Sequence, residues 1–377
     1  MLFEDALRMG LNFEPPNVNR GTHRFEPVSN QVIRYGLSAI KGTGQQAIEA
    51  IVAARDGRGT GPMASEARPF DSLFDFCARV DRSRINKRTV EALIKAGAFD
   101  TLQRNRASLL ASLDLAFDFG AAMLANANQT SLFDMGGDDE HGASTQEPPL
   151  LPATPWGVRE QLSMEKAAVG FYLSGHLFDE SVTEVRRFAK RQIADLIDTR
   201  EPQLLAGIIT DFRVINGQRG KVALFKLDDK SGTVDARADE ALITAHRQLL
   251  KDDELVVVMG KLQPDRFAGG MQLTVTQLWS LEQARCRFGK YLRVAVNGHA
   301  PDVARLLAAH PPLREISEQG ELLRGLALRL AVSRPGQTGS VTVDLQLGEQ
   351  ARFYPSDAAL AGWRAQADQG QAVVVYE

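Results

Sequence analysis

Apolar residues recur at helical spacing through the first half of the chain, then alternate with polar ones from Leu204 onward. The pattern predicts a helical half followed by a β-rich half. Met1 to Leu11 has the spacing of one amphipathic helix, on Leu2, Phe3, Ala6, Leu7 and Met9, stopped by Pro15-Pro16. Residues 17–27 read as irregular or extended. That first helix either packs on the helical region downstream or lacks its partner, and the second reading is preferred. Helices are expected over 47–55, 70–80 (capped by Asp71 or Ser72), 86–96 and 106–119, with Val90, Leu93 and Ile94 facing inward. Trp156 to Arg191 is helical again.

Past Leu204 the spacing predicts strands over 204–215, 221–228 and 233–238, a helix over 241–250, and strands over 254–262 and 271–279. Asn216-Gly217 is a hairpin signal between the first two. Three strands, a helix and two strands is the order of an OB-fold barrel. The last segment predicts strand, helix, two strands, helix and strand, a small two-layer α/β domain with Ser356 capping its second helix. The expected fold is therefore multidomain α+β. Its parts are residues 1–30, a helical domain at 31–125, a linker at 126–155, a helical connector at 156–203, the barrel at 204–285 and a partner-binding domain at 286–377.

The helical region centres on Ile40-Lys41-Gly42-Thr43-Gly44-Gln45-Gln46-Ala47. Two glycines one residue apart, just before a helix, allow a tight turn whose N–H groups and helix end attract an anion. No Gly-Lys-Ser/Thr follows for a Walker loop, and no third glycine completes a dinucleotide fingerprint. A helix-hairpin-helix gripping the DNA phosphate backbone fits, with an ordinary helix–helix connection as the alternative. Lys41, Gly42, Thr43 and Gly44 are its candidate contacts. Ile94-Lys95-Ala96-Gly97-Ala98 resembles a degenerate second copy, preceded by Arg82, Arg84, Lys87 and Arg88. Those cations either form a solvated surface or continue the phosphate contact, so that tandem hairpins follow a duplex across its minor groove.

Net charge is −3 over 377 residues, which gives no global argument for nucleic acid. Local charge does: thirteen Lys/Arg against eight Asp/Glu from Gln31 to Leu110, then five acids and no Lys or Arg from Asp134 to Leu150. The linker is polar, Gly-, Pro- and acid-rich, and expected to be disordered. Within it Gln129-Thr130-Ser131-Leu132-Phe133 holds an apolar pair, read as a short motif inserting Leu132 and Phe133 into a partner's pocket with Gln129 at the rim, or as a chance pair. On the barrel, Arg213, Arg219, Lys221, Phe225 and Lys226 are candidates for a single-strand groove. Eleven cations against eleven acids over 204–285 leave a spacer or protein dock open as well. Cys77 and Cys286 lie far apart and outside any CxxC pair, which argues against a disulfide framework or zinc site and for a reducing cytoplasm. No metal ligand set is expected. No signal peptide or bilayer-spanning apolar run is evident.

Five separated stretches resemble the bacterial replicative DNA polymerase III alpha subunit. They are Tyr35 to Gly44, Ser72 to Phe76, Glu91 to Asp100, Glu165 to His176, and the barrel run through Gly232-Thr233-Val234. The order matches the family along essentially the whole chain. Leu177-Phe178 departs from the family's usual Pro-Leu. The resemblance implies that residues 1–30 end the fingers region and that the tandem hairpins bind duplex DNA. It likewise implies that Gln129 to Phe133 bind the sliding clamp, that the barrel lies near the single-stranded template, and that the last domain docks the clamp loader's tau subunit. The intact pentapeptide and the last domain favour the main replicative subunit over its error-prone paralogue. The family's palm holds magnesium on an Asp-x-Asp pair plus a third aspartate, and no Asp-x-Asp occurs here. The chain is expected to lack polymerase activity by itself and to need no cofactor of its own. A stand-alone DNA-binding adaptor is the alternative. A helix-hairpin-helix glycosylase is disfavoured, because the chain shows neither a four-cysteine cluster nor a base-pocket signal.

Overall fold

The computed structural model describes residues 6, 9–59, 67–133, 146–197, 201–217, 220–264, 269–297, 301–317, 320–336 and 339–376. Within these, residues 127–133, 315–317, 320–321, 335–336 and 339–340 are described by backbone alone. The chain forms two compact units, Met1–His176 and Leu177–Glu377. The division falls inside the expected helical connector.

The first unit contains α1 (Gln45–Arg55), α2 (Leu73–Arg79), α3 (Lys87–Lys95), α4 (Arg106–Ala111), α5 (Leu113–Phe133) and α6 (Val158–Val169). Ile40, Ile48, Ile51, Leu93 and Ile94 meet in its core with the rings of Phe70, Phe76 and Phe99. Phe76 touches Phe70 and Phe99 edge-on, each at 5.0 Å between centroids, the arrangement aromatic quadrupoles favour. Ser72, Asn86 and Asn105 cap α2, α3 and α4 by accepting from Asp75, Thr89 and Ser108 amides. Of the two caps the sequence offered for α2, Ser72 is the one used.

Two expectations change here, and a small sheet is added. The run read as irregular or extended, 17–27, is turn and loop up to β2; β1 (Asn12–Glu14), β2 (Glu26–Pro27) and β3 (Val32–Arg34) form a sheet in the order β1-β3-β2. Val18 is fully buried against the helices and donates its amide to Ala98 O at 3.0 Å. Strands of two or three residues are too short to show a period. The helix expected at 1–11 lies largely outside the described residues.

The helix expected over 106–119 breaks at Ser112. Its hydroxyl donates to Ser108 O at 2.8 Å and accepts from the Leu151 amide at 2.7 Å, a local bond that competes with the helix ladder. The linker is shorter than expected at both ends. The backbone stays helical through Phe133, because no Gly or Pro interrupts the chain between Gly120 and Gly136. Residues 150–153 pack on α4, where Asn105 donates to Ala153 O at 2.8 Å and Leu150 joins the core.

The second unit opens with α7 (Val182–Val185) and then a closed barrel. Its strands are β4 (Gln203–Gly217), β5 (Gly220–Asp228), β6 (Thr233–Ala238), β7 (Leu255–Pro264) and β8 (Met271–Trp279), with α8 (Glu240–Ala245) between β6 and β7. The order around the barrel is β4-β5-β6-β8-β7, closed by antiparallel β4–β7 pairing and a parallel β6–β8 step. This is the OB-fold the spacing predicted. Leu205, Ile209, Phe225, Val256 and Leu273 fill its interior.

From α9 (Leu281–Phe288) the chain enters the last sheet, formed by β9 (Gly289–Val296), β12 (Leu326–Gly336), β13 (Gly339–Gln346), β14 (Arg352–Phe353) and β15 (Ala372–Tyr376). The helices α10 (Val303–Ala309) and α11 (Asp357–Gln366) contribute Leu306, Leu360 and Trp363 to the core on one of its faces. Ser356 caps α11 as expected. A hairpin of β10 (Leu313–Ser317) and β11 (Gly320–Arg324), and the short β14, add to the predicted order.

One ion network joins these elements. Arg285 of α9, almost fully buried, bonds both oxygens of Glu184 at 2.8 Å and Asp357 at 2.7 Å, and Tyr376 donates to Glu184 at 2.6 Å. Burial pushes the Glu184 carboxyl up, but the bonds from Arg285 and Tyr376 outweigh it and hold the group below its ordinary value. Glu184 thus contributes stability that is full above about pH 4.3, its unfolded value, and is lost as pH falls through the lower folded value. The urea midpoint should fall on acidification below that point, and Glu184→Gln should flatten the dependence. In the first unit the buried Arg106 lies 3.5 Å from the buried Glu165, so Arg106→Ala removes that carboxylate's countercharge and should cost about 3–5 kcal/mol in urea unfolding. Burial pushes the Cys77 thiol up to about 12, so alkylation should reach it only after unfolding.

Candidate nucleic-acid interface

The glycine turn is built from the inside out. Ile40 and Ile48 anchor it in the core, and Gly42 takes φ +87°, a left-handed value that disfavours a side chain. Thr43 donates its hydroxyl to the carbonyls of Leu37 and Ile40, at 2.8 and 2.7 Å, and is itself buried. Lys41 donates its amide to Ala168 O at the end of α6, at 2.8 Å. The turn is therefore fixed on both sides.

What it presents outward is an uncapped helix end. Gly44 is the N-cap of α1 and offers no side-chain acceptor, whereas α2, α3 and α4 all have one. A Cβ placed at Gly42 or Gly44 would meet nothing within 4 Å. Open approach, the unfilled amides of a helix's first turn and its positive dipole end make a site for an anion. Thr43 was expected at the phosphate. It serves the turn from behind instead, since its hydroxyl is spent on two core carbonyls.

Of the cations before and at the start of α3, Arg84 lies beside this turn. Arg84 donates to Gln46 Oε1 of α1 at 3.2 Å, and the Thr89 hydroxyl lies 3.5 Å from Gly42 O. Arg84, Lys87 and Arg88 are exposed; Arg82 is half-buried with its guanidinium 5.9 Å from the Phe117 ring. Lys87 bonds Asp114, which raises its ammonium above the ordinary value. Lys41 is exposed on the turn itself.

The second glycine turn is different. Gly97 has φ +81°, but a Cβ there would lie 2.2 Å from Arg106 Nη2. Arg106 also donates to Lys95 O at 3.1 Å and to Asp100 at 2.8 and 2.6 Å. The chain's own guanidinium fills the space a phosphate would need. The expected second hairpin is thus a closed copy, and its supporting residue, Arg106, was not singled out by spacing.

On the barrel, strand register decides which candidates face outward. Arg213 pairs with Leu224, Leu224 with Arg237, Arg237 with Thr274, and Thr274 with Lys261. Paired residues share a face, so Arg213, Arg237 and Lys261 form one outer cationic row across the sheet. Arg237 and Lys261 escape sequence reading, because only pairing puts them in line with Arg213. Phe225 was expected to stack on bases. It is 3% exposed and points into the barrel with Ala223 and Leu227, the inward half of the alternation. Lys221 is exposed near the β4–β5 turn, and Lys226 pairs with Asp211 at 2.7 Å. Arg219 lies outside the described residues, as do the side chains of Gln129, Leu132 and Phe133. Among the described residues no cluster of His, Cys, Asp or Glu could hold a metal, and no helix is long and apolar enough to cross a membrane.

A family model described as a helix-hairpin-helix motif matches residues 10–109, and one described as an OB-fold nucleic acid binding domain matches 204–281. The chain is 38% identical over 312 residues to the DNA polymerase III subunit alpha of Neisseria meningitidis serogroup B, covering 82% of this chain and 26% of that protein. It is 34% identical over 385 residues to that of Pseudomonas aeruginosa, covering 97% of this chain and 31% of the relative. The Escherichia coli subunit is 30% identical over 376 residues, with 95% and 30% covered. Among solved structures, a single-stranded DNA binding protein (SSBb) from Mycobacterium smegmatis aligns with 22% of this chain and 86% of its own at 19% identity, with a TM-score of 0.20. The chain thus spans between a quarter and a third of the length of these curated relatives. Both family models fall where the turn and the barrel stand, and the chain belongs to the DNA polymerase III alpha subunit family, matching its C-terminal portion.

Proposed function

We propose that this chain holds DNA for a replicative polymerase without performing the bond-making step. The observation that carries the reading is the open, uncapped turn at Gly42–Gly44, with Lys41 exposed on it and the exposed Arg84 bonded to Gln46 beside it. Backbone amides and cations bind phosphate and carry no base preference, so the grip is independent of sequence. The outer row Arg213, Arg237 and Lys261 extends the same chemistry to a single strand on the barrel.

Partners add avidity. The segment Gln129 to Phe133 at the end of α5 serves as the sliding-clamp peptide. The last domain serves as the dock for the clamp loader's tau subunit, where β13 exposes Val341, Val343 and Leu345. Several weak contacts on one chain raise each other's effective concentration and give processivity. Magnesium-dependent transfer needs clustered carboxylates, and the proposal assigns this chain no catalytic step.

Gly44→Val tests the grip cleanly, because Gly44 has an ordinary φ of −79° and open space around it. Stability should change by no more than about 1 kcal/mol. Duplex affinity, read by fluorescence anisotropy, should fall several-fold and equally for unrelated sequences, with a shallower salt slope. Loss confined to one sequence would overturn phosphate gripping. Replacing Gln129, Leu132 and Phe133 by Ala should abolish clamp binding in surface plasmon resonance and leave duplex affinity unchanged.

A further inference from the structure

A cavity of about 180 Å³ opens in the second unit where α9 and the β10–β11 hairpin come together, lined by His246, Trp279, Gln283, Arg287, Arg324 and Tyr354 among others. Its chemistry is unusual for a structural gap. One wall is aromatic, with the Trp279 indole, and the Arg287 guanidinium lies 5.1 Å from that ring. A guanidinium stacked on an aromatic keeps its N–H edge available to an anion. Burial pushes the Tyr354 hydroxyl up to about 12, with the Glu282 carboxylate adding to it, so the group remains a protonated donor at neutral pH. Burial also lowers His246, which leaves its imidazole neutral there.

The cavity also shares the outer face of β8 with the cationic row. In β8, Val275 and Leu278 both point into the barrel, although they are three residues apart. The register shift opposite Met259 and Gly260 resets the alternation between them. Thr274, in the row, and Trp279, in the cavity, consequently share the outer face. They are separated by five residues, about 16 Å along the strand.

We propose that this cavity seats one nucleotide of a single strand that follows the outer row, the base against Trp279 and the phosphate against Arg287 and Arg324. The inference rests on the single-strand reading of the barrel and adds an end point to it. The shared ligand chemistry is a nucleobase carrying a phosphate, available from a strand or from a free nucleotide.

Tryptophan emission of the 377-residue chain, titrated with a short oligothymidylate and separately with thymidine monophosphate, tests it. Quenching is expected, and Trp279→Phe should remove it while the Trp156 and Trp363 signal persists. Arg287→Ala, an exposed position, should weaken the quenching ligand on the order of tenfold. Quenching by the oligomer alone assigns the cavity to a strand; quenching by both at equal affinity assigns it to free nucleotides. Anisotropy of a labelled oligomer separates the two readings. Binding that is lost in Arg237→Ala/Lys261→Ala but never alters Trp279 emission overturns the cavity and keeps the row. No binding of either ligand at low salt overturns both.

Discussion

The first unit depends on a buried charge, the Arg106 guanidinium. It bonds the Asp100 carboxylate and the Lys95 carbonyl, and lies 3.5 Å from Glu165, a carboxylate that is 1% exposed. Glu165 in turn accepts the amides of Leu173 and Ser174 at 2.7 and 2.9 Å. A charge in a dry interior is tolerable only when its bonds are complete, so each partner fixes the position of the next. The series runs from the end of α3, through α4 and α6, to the loop after α6. Through Ala168 O it reaches the Lys41 amide, and so the open glycine turn.

This explains why the two glycine turns diverged in use. Each has a glycine at positive φ and each follows buried aliphatic residues. At Gly42 the space is empty and the helix behind it uncapped; at Gly97 the space holds Arg106. One copy offers amides to an external anion, and the other uses its pocket to bind the fold's own cation. A single open turn is a weak site, and in the proposed grip its cationic neighbours and the barrel row supply the rest of the attraction.

The second unit repeats the device with Arg285, which ties α9 to α7 and to the start of α11, while Tyr376 bonds the same Glu184 from the last strand. Burial lowers and carboxylate bonding raises the affinity of this guanidinium for its proton, and the bonding prevails. The network draws on segments from Glu184 to Tyr376, so the barrel's trailing helix is held by residues that follow it by most of a domain. The Trp279 cavity inherits its shape from that docking, because Gln283 and Arg287 stand on the same helix.

The sequence alone determined what depends on near neighbours. Strand boundaries in the barrel followed from alternation, the caps from Ser72 and Ser356, and the open turn from two glycines before a helix; Asn216-Gly217 marked the neighbourhood of the β4–β5 hairpin, but both residues pair within it, with Lys221 and Gly220. Tertiary structure decided whatever depends on pairing or burial. Phe225 faces inward, and Arg237 aligns with Arg213, because register and not spacing chooses a face. Thr43 turns to the core and Arg106 closes Gly97 because distant backbone carbonyls and carboxylates need partners. The small sheet at residues 12–34 formed from strands too short to leave a period. Local propensity is written in consecutive residues; the satisfaction of a buried charge is not.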